Sequence, residues 1–382
     1  MIRSTGHYVT TTVAGESVQA FVPNALPPKL TAKALAELQG PLQAAEAALD
    51  KLNLAGEMIP SLDWFIYAFV RKEALLSSEI EGTQATLVDV FSFEHTQQVG
   101  SSSAGDLEEI ANYVAAMNYA TSELHSKRGL PVSIRLLNEC HRQLLRGSRA
   151  ANKQPGEIRR SQNWIGGTRP GNAAFVPPPQ DQVADLLGDL ERYIHNDDDL
   201  PALLRIAAVH VQFETIHPYL DGNGRVGRML IALLLDHWKI LSSPLLYLSV
   251  YLREHQATYY RHLESIRTEG SWDAWFEFFL AGVEAVAIDA ADRARQLYRR
   301  VSEDRRTLLA ADGVTLSAIQ LFEYLPDHPV ITMPQVTRLL EVTKPTAGKA
   351  INALQGAGIL LELGVRKRDR LYSYAPYIEI LK

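Results

Sequence analysis

The chain has 382 residues, 46% of them hydrophobic and 21% charged, a balance that allows two or three globular domains with a sizeable core. Its 38 Lys and Arg against 44 Asp and Glu give a formal charge of −6. That charge excludes non-specific nucleic-acid binding by the molecule as a whole and confines any basic surface to a patch. The single Cys140 excludes an intramolecular disulfide, suits a reducing compartment, and reads as a buried helical thiol. The first 19 residues lack a signal-peptide apolar core, and the apolar run 229–235 is too short to span a bilayer. The expected location is the cytoplasm, with no membrane partner.

Residues 1–30 look extended: Tyr8 to Val13 is β-branched, and Pro23, Pro27 and Pro28 break the chain after it. An Ala/Leu-rich helix is predicted over 31–54 and a second over 61–79, with Ser61 as N-cap. The Gly/Ser segment 100–105 reads as a flexible joint, after which Asp106 is placed to cap a helix reaching His125. Helices are expected over 131–145 and 179–193. Between them, Trp164-Ile165-Gly166-Gly167 and Ala174-Phe175-Val176-Pro177 flank a Gly/Pro turn, a hairpin signal inside a helical region. Two strongly apolar helices, 201–214 and 225–238, come next, and helices continue over 252–306. From about residue 314 helical stretches fit 316–325, 334–340 and 344–356, and strand-like runs 359–363 and 370–374 come after them. Three helices and a basic hairpin outline a winged helix. The expected fold is mainly α, with one β-hairpin. Its parts are an N-terminal helical region (1–110), a core (111–305) and a winged helix-turn-helix unit (306–382).

The chemistry concentrates in His217-Pro218-Tyr219-Leu220-Asp221-Gly222-Asn223-Gly224-Arg225-Val226-Gly227-Arg228, between the two apolar helices. Gly222 and Gly224 permit positive φ and close backbone approach. The amides of residues 222–224 can form an anion nest at the positive end of the next helix. Arg225 and Arg228 lie three apart, on one face of its first turn. A polyphosphate suits such a site. Asp221 supplies one hard oxygen, enough for Mg²⁺, which fills its shell with phosphate and water. His217 is the natural general base, with an ordinary pKa near ~6.5. Gly222-x-Gly224-x-x-Gly227 formally matches a dinucleotide fingerprint, but a helix precedes it where a strand should. No Lys-Ser or Lys-Thr comes after the glycines, so a P-loop fails too. A plain helix–helix turn would explain the glycines but not His217, Asp221 and both arginines together.

This segment resembles the Fic-family signature, histidine–proline–phenylalanine–any–aspartate/glutamate–glycine–asparagine–glycine–arginine–any–any–arginine. Only Tyr219 departs from it, and the phenol needs a partner if it is to be buried there. The resemblance implies a protein adenylyltransferase with a Fic-type helical core. His217 would deprotonate a Ser, Thr or Tyr hydroxyl of a target protein, which attacks the α-phosphate of ATP and expels pyrophosphate. Asp221 would hold Mg²⁺, the amides of Gly222, Asn223 and Gly224 would cradle phosphate oxygens, and Asn223 would also orient the nest. Arg225 would support the phosphates and Arg228 would bind the γ-phosphate, with Val226 and Gly227 completing the ATP-binding segment. The hairpin 165–176 matches the family's target-clamping flap, with Ile165 and Gly166 as its contacts. By the same resemblance the adenine pocket falls in 247–267, where Tyr251, Tyr259 and Glu254 are the candidates.

Ser77-Ser78-Glu79-Ile80-Glu81-Gly82 resembles the family's inhibitory motif, matched at Ser77, Glu81 and Gly82. A carboxylate presented to Arg228 takes the guanidinium that should bind the γ-phosphate, so Glu81 sits at the ATP site as a brake. Ser77 would steady the helix end, and Gly82 would terminate it. Over 344–382, seven basic residues (Lys344, Lys349, Arg366, Lys367, Arg368, Arg370 and Lys382) face three acids. Thr343 can cap a recognition helix carrying Lys344 and Lys349, and residues 366–370 would form a wing on duplex DNA. A protein-docking or dimerising winged helix fits equally. The reading is an auto-inhibited enzyme that modifies target proteins, itself included, as a homodimer. The alternatives are a DNA-binding regulator with a nucleotide-sensing Fic domain, or a Fic enzyme that removes AMP or transfers another phosphoryl or nucleotidyl group.

Overall fold

The computed structural model describes residues 4–57, 62–96, 103–147, 152–363 and 370–382. The chain opens with an antiparallel hairpin, β1 (Gly6–Val13) and β2 (Glu16–Pro23), in register Val13↔Glu16 to Gly6↔Pro23. Ala14 and Gly15 turn it with positive φ. Six helices come next: α1 (Ala32–Glu57), α2 (Leu62–Ile80), α3 (Leu87–Thr96), α4 (Ala104–His125), α5 (Ile134–Leu144) and α6 (Val183–His195). The central pair is α7 (Ala202–Ile216) and α8 (Asn223–His237). After them come α9 (Ser249–Glu254), α10 (Gln256–Glu269) and the long α11 (Trp272–Ala310). The last segment runs α12 (Leu316–Tyr324), β3 (Val330–Thr332), α13 (Met333–Leu339), α14 (Lys344–Gly356), β4 (Leu361–Leu363), β5 (Leu371–Ser373) and α15 (Ala375–Leu381). Its three strands are antiparallel in the order β3-β5-β4. The architecture is mainly helical with small antiparallel sheets, as expected.

One apolar core runs through the molecule. Helix α7 shows why the core centres there: Leu203, Leu204, Ile206, Ala207, Ala208, Val209, Val211 and Phe213 are all buried. A helix apolar on every face must be enclosed on every face. The C-terminal segment joins the same core. Tyr374 donates its hydroxyl to buried Asp304 of α11 at 2.6 Å, Tyr377 hydrogen-bonds the Trp64 carbonyl of α2, and Arg293 donates to the Ile380 carbonyl. Helices α4 and α11 run across residues 110 and 305, where the sequence reading places unit boundaries. No helix among the described residues is long and apolar enough to cross a membrane.

Several local expectations change. The α4 helix is capped by Ser103, whose hydroxyl accepts from the Asp106 amide, not by Asp106. The cap is set one turn earlier because Ala104 and Gly105 are already helical. Thr343 precedes α14, but its hydroxyl meets the Thr346 hydroxyl at 3.0 Å instead of a backbone amide. Ser61, residues 100–102 and the wing residues Arg366, Lys367 and Arg368 lie outside the described residues. Cys140 is fully buried, and burial pushes its thiol up to about 12, which removes it as a nucleophile.

Candidate active site

The α7–α8 junction carries the signature. Helix α7 ends as His217 turns left-handed, at φ 51° and ψ 61°, with its amide still bonded to the Phe213 carbonyl. A non-glycine residue there costs of order 1–3 kcal/mol, so its neighbours must hold it. Gly222, at φ 78°, is the N-cap of α8. Between the two turns, Asn223 closes the loop from inside. Its side chain accepts from the Tyr219 amide at 2.8 Å and donates to the Tyr219 carbonyl at 2.9 Å. Asn223 is therefore spent on loop shape, and it orients the nest through the main chain. Tyr219 finds the partner its phenol needs, donating to Asn138 Oδ1 at 2.9 Å.

His141 of α5 supports this loop from below. Its Nδ1 accepts from the Gly156 amide at 2.9 Å, so Nε2 carries the proton and donates to the Asp221 carbonyl at 3.0 Å. The ring stacks on Tyr219 with centroids 3.8 Å apart. Burial pushes His141 down to about 4, which keeps it neutral and fixes that tautomer. The sequence does not single it out. Its only signal is its place between Leu137 and Leu144 on the apolar face of α5, where a histidine must find partners.

His217 itself is pushed down to about 4, first by burial and then by the Arg159 guanidinium. It is neutral at pH 7 and free to accept a proton. Arg228 is buried on the first turns of α8. Its Nε donates to Ser77 Oγ at 2.8 Å, and Nη2 donates to the Ser77 carbonyl at 2.8 Å and to Glu81 Oε1 at 2.7 Å. Burial opposes charge on Glu81, yet Arg228 and, beyond it, Arg225 outweigh burial and hold the carboxyl below its usual range. A Cβ placed on Gly224 would collide with Glu81 Oε1 and crowd Arg228, so the carboxylate lies directly over the nest. Gly82 ends α2 at φ 101°, the terminator its position requires. Ser77 grips Arg228, a different task from steadying the helix end.

Glu81 arrives there because α2 is anchored one turn at a time. Glu73, Ser77 and Glu81 are spaced by four and share a face. Glu73 is buried and accepts from Ser249 Oγ at 2.6 Å, the Ser249 amide at 3.3 Å and the Tyr113 hydroxyl at 3.1 Å. Burial raises its carboxyl above the usual range.

Arg225 lies between two carboxylates, Glu109 Oε2 at 3.0 Å and Asp221 Oδ1 at 3.5 Å. Asp221 Oδ1 also accepts from the Gly222 amide at 2.6 Å, and the carboxylate is about half exposed. Among the described residues no group of three or more His, Cys, Asp or Glu is arranged to hold a metal. One half-exposed carboxylate beside the amides of residues 222–224 fits Mg²⁺, which takes its other ligands from phosphate and water. Glu109 goes unread in the sequence because Glu108-Glu109 looks like a solvated helix face.

The flap is a single bridge, Ile165↔Phe175, around a 3-10 turn at Pro170–Asn172. Ile165 is exposed and Gly166 sits at φ 67°. The N-terminal hairpin buttresses it: the Phe21 amide donates to the Val176 carbonyl, and Val13, Val18, Ala20 and Val176 form a small separate core.

The adenine candidates fare differently. Tyr259 is buried and donates to His210 Nε2 at 2.9 Å, so it belongs to the core behind the site. Tyr251 packs on α11 at Gly282 and against Phe278. Glu254 is exposed and acts on Lys72. Tyr259 nonetheless bears on Arg228 electrostatically. The adjacent Tyr260 is the exposed ring, and Glu81 and Arg228 influence both phenols. Neighbours on a helix point about 100° apart, so choosing between Tyr259 and Tyr260 requires the helix phase. Glu214, also unread in the sequence, lies on α7 one turn before His217. Its Oε1 is buried without a hydrogen bond, and burial pushes its carboxyl up to about 7.

Two models of one family match the chain. Fic/DOC family N-terminal covers residues 34–122 and Fic/DOC family covers 131–235, together just over half of it. Protein adenylyltransferase Fic of Drosophila persimilis is 28% identical over 271 residues, 69% of this chain and 47% of that protein. Its Drosophila melanogaster counterpart is 27% identical over 228 residues, 59% of this chain and 41% of that protein. The chain thus spans less than half the length of these relatives. Among solved structures, a Fic family protein from Desulfovibrio desulfuricans G20 aligns with TM-score 0.56 and 21% identity, covering 91% of this chain and 98% of that one. Residues 134–508 of Fic-1 from C. elegans align with TM-score 0.53 and 22% identity, covering 70% and 74%. With both family models matched and the signature folded into a nest beside a neutral histidine, the chain belongs to the Fic/DOC family.

Proposed function

We propose that this chain is an auto-inhibited protein adenylyltransferase that transfers AMP from ATP to protein hydroxyls. The observation that carries the reading is the Arg228–Glu81 pair, 2.7 Å long, set over the Gly224 nest beside the neutral His217. The triphosphate would lie along residues 222–224, with its γ-phosphate requiring Arg228. While Glu81 and Ser77 hold that guanidinium, ATP is denied its productive pose. Once Glu81 leaves, Arg228 takes the γ-phosphate and Arg225 supports the chain of phosphates. Asp221 is the residue that would hold Mg²⁺, which supplies charge neutralisation at the phosphates. His217 takes the proton of a target hydroxyl presented on the flap, and that oxygen attacks the α-phosphorus as pyrophosphate leaves. The exposed Tyr260 ring is the better candidate to pack the base. Self-modification is the expected first target.

The test is intact-mass spectrometry of Glu81→Gly after incubation with ATP and Mg²⁺, beside Glu81→Gly/His217→Ala. AMP adducts on the first alone support donor, base and brake together. Equal adducts on the wild type and Glu81→Gly would remove the brake from the reading.

A second reading concerns the C-terminal segment. Lys344, Lys349 and Asn352 are exposed on α14, opposite the buried Ala347, Ala350, Ile351 and Leu354. With the element order α12-β3-α13-α14-β4-β5, this supports a winged helix whose α14 enters the DNA major groove. Arg370, paired with Glu362, would flank it. Binding of a duplex that weakens steeply between low and physiological salt supports the assignment. A lack of salt-dependent binding assigns the segment to protein contacts.

A further inference from the structure

Arg159 is 1% exposed, and no carboxylate among the described residues pairs with it. Among the described residues every hydrogen bond from its side chain goes to a main-chain carbonyl. Nε donates to His217 O at 2.9 Å, Nη1 to Ser161 O at 3.2 Å, and Nη2 to Pro178 O at 2.6 Å and Ile216 O at 3.5 Å. Its own amide donates to Pro218 O at 2.9 Å. These acceptors belong to three pieces of chain. Ile216, His217 and Pro218 form the turn that carries the base. Ser161 leads into the flap, and Pro178 leads out of it. Gln162 and Asn163 add further ties, to Pro177 O at 2.8 Å and Tyr219 O at 3.1 Å.

A buried charge without a counter-ion is costly unless its donors are satisfied. Arginine suits this place because its planar fork reaches several acceptors at once, which lysine cannot do. The structure also needs such a clamp. His217 is held in a left-handed conformation that an L side chain adopts at a cost.

We propose that Arg159 is a positioning residue for the transfer. Its guanidinium holds the His217 main chain and both legs of the flap in one register. A target strand seated on the flap therefore arrives with its hydroxyl at the imidazole. This rests on the reading of His217 as the base and of the 165–176 hairpin as the target seat.

The arrangement has an electrostatic consequence. Three charged groups bear on the imidazole: Arg159 from the segment before the flap, Glu81 from the end of α2, and Arg267 from α10. After burial, Arg159 contributes most to keeping the ring neutral. Removing its charge makes His217 easier to protonate, whereas replacing it with lysine keeps the charge and loses the fork.

The experiment uses the 382-residue chain as wild type, Arg159→Lys and Arg159→Gln. The His217 imidazole is followed by ¹⁵N NMR against pH and assigned with His217→Ala. The same two substitutions are then assayed for AMP incorporation in the Glu81→Gly background. In wild type and Arg159→Lys the ring stays neutral down to about pH 5. In Arg159→Gln its titration moves up by about half a pH unit or more. Arg159→Lys lowers kcat for transfer by about 10-fold or more while KM for ATP changes less than about twofold, because the phosphate nest is untouched. Should Arg159→Gln fail to fold, Arg159→Lys decides by its split between kcat and KM. A folded Arg159→Lys with unchanged kcat overturns the proposal, as does an Arg159→Gln titration that stays in place. Parallel loss of Tm, ATP affinity and kcat overturns it too, since that is a merely structural role. If Glu81→Gly/His217→Ala stays active, the base reading itself fails and the proposal falls with it. If that double variant is inactive and Arg159→Lys is fully active, the base stands and only the clamp is lost.

Discussion

Two buried arginines, Arg228 within the signature and Arg159 far before it in the chain, are answered in opposite ways. Arg228 meets a carboxylate and a hydroxyl carried on α2, a separate element. Arg159 meets only backbone carbonyls of the segments it joins. A carboxylate on another helix can be withdrawn and replaced by a phosphate of the same charge. Carbonyls of the catalytic turn cannot leave without dismantling it. The first arrangement suits regulation and the second suits scaffolding.

The sharpest way to break the comparison is at the base. His217→Ala in the Glu81→Gly background should lower AMP incorporation by ~10²–10⁴-fold, the usual weight of general-base catalysis. A variant that keeps most of its activity would mean that the nest alone drives transfer. Next, Glu81→Gly should raise transfer by about 10- to 100-fold over wild type, the worth of one charge-assisted bond at a buried arginine. Saturating ATP should narrow that ratio if the carboxylate competes with the γ-phosphate. Ser77→Ala acts on the same guanidinium without touching the carboxylate. It leaves buried Nε unpaired and should cost ~1–3 kcal/mol of stability, read from denaturant midpoints. No loss of stability would show that Nε finds water instead.

Glu214 gives an effect that vanishes at low pH. Its carboxyl is raised from 4.5 to about 7 in the folded chain. Between those values the native state keeps a proton that the unfolded chain has released. Stability from this group is therefore full below pH 4.5, falls as pH rises towards 7, and stays lost above it. Glu214→Gln removes that loss, so its stabilisation should be near zero at pH 4.5 and reach ~1–3 kcal/mol at pH 8. Equal Tm shifts at both pH values would place the carboxylate in contact with an unseen cation or water network.

The signature segment is legible in the sequence because its chemistry is contiguous. Twelve residues hold the proposed base, the proposed metal ligand, the backbone nest and both arginines, and only local turn geometry is needed to assemble them. Ser77 and Glu81 are legible as a motif, although the grip of Ser77 on Arg228 is not. The adenine side is not legible because Tyr259 and Tyr260 are adjacent, and only helix phase separates a core ring from an exposed one. The N-terminal hairpin reads as extended chain without its pairing, and its role as a flap buttress depends on Val176, far along the sequence.

The sequence by itself determined the family and the helical class and named the candidate reactive residues, since each is set by residue type at short spacing. Tertiary structure alone decided which buried groups support them. Arg159, Glu109 and His141 carry no sequence signal that assigns them to the site. Their partners lie 58, 116 and 80 residues away in the chain. Long-range pairing of polar groups results from packing the apolar helices, which brings together side chains that no local pattern links.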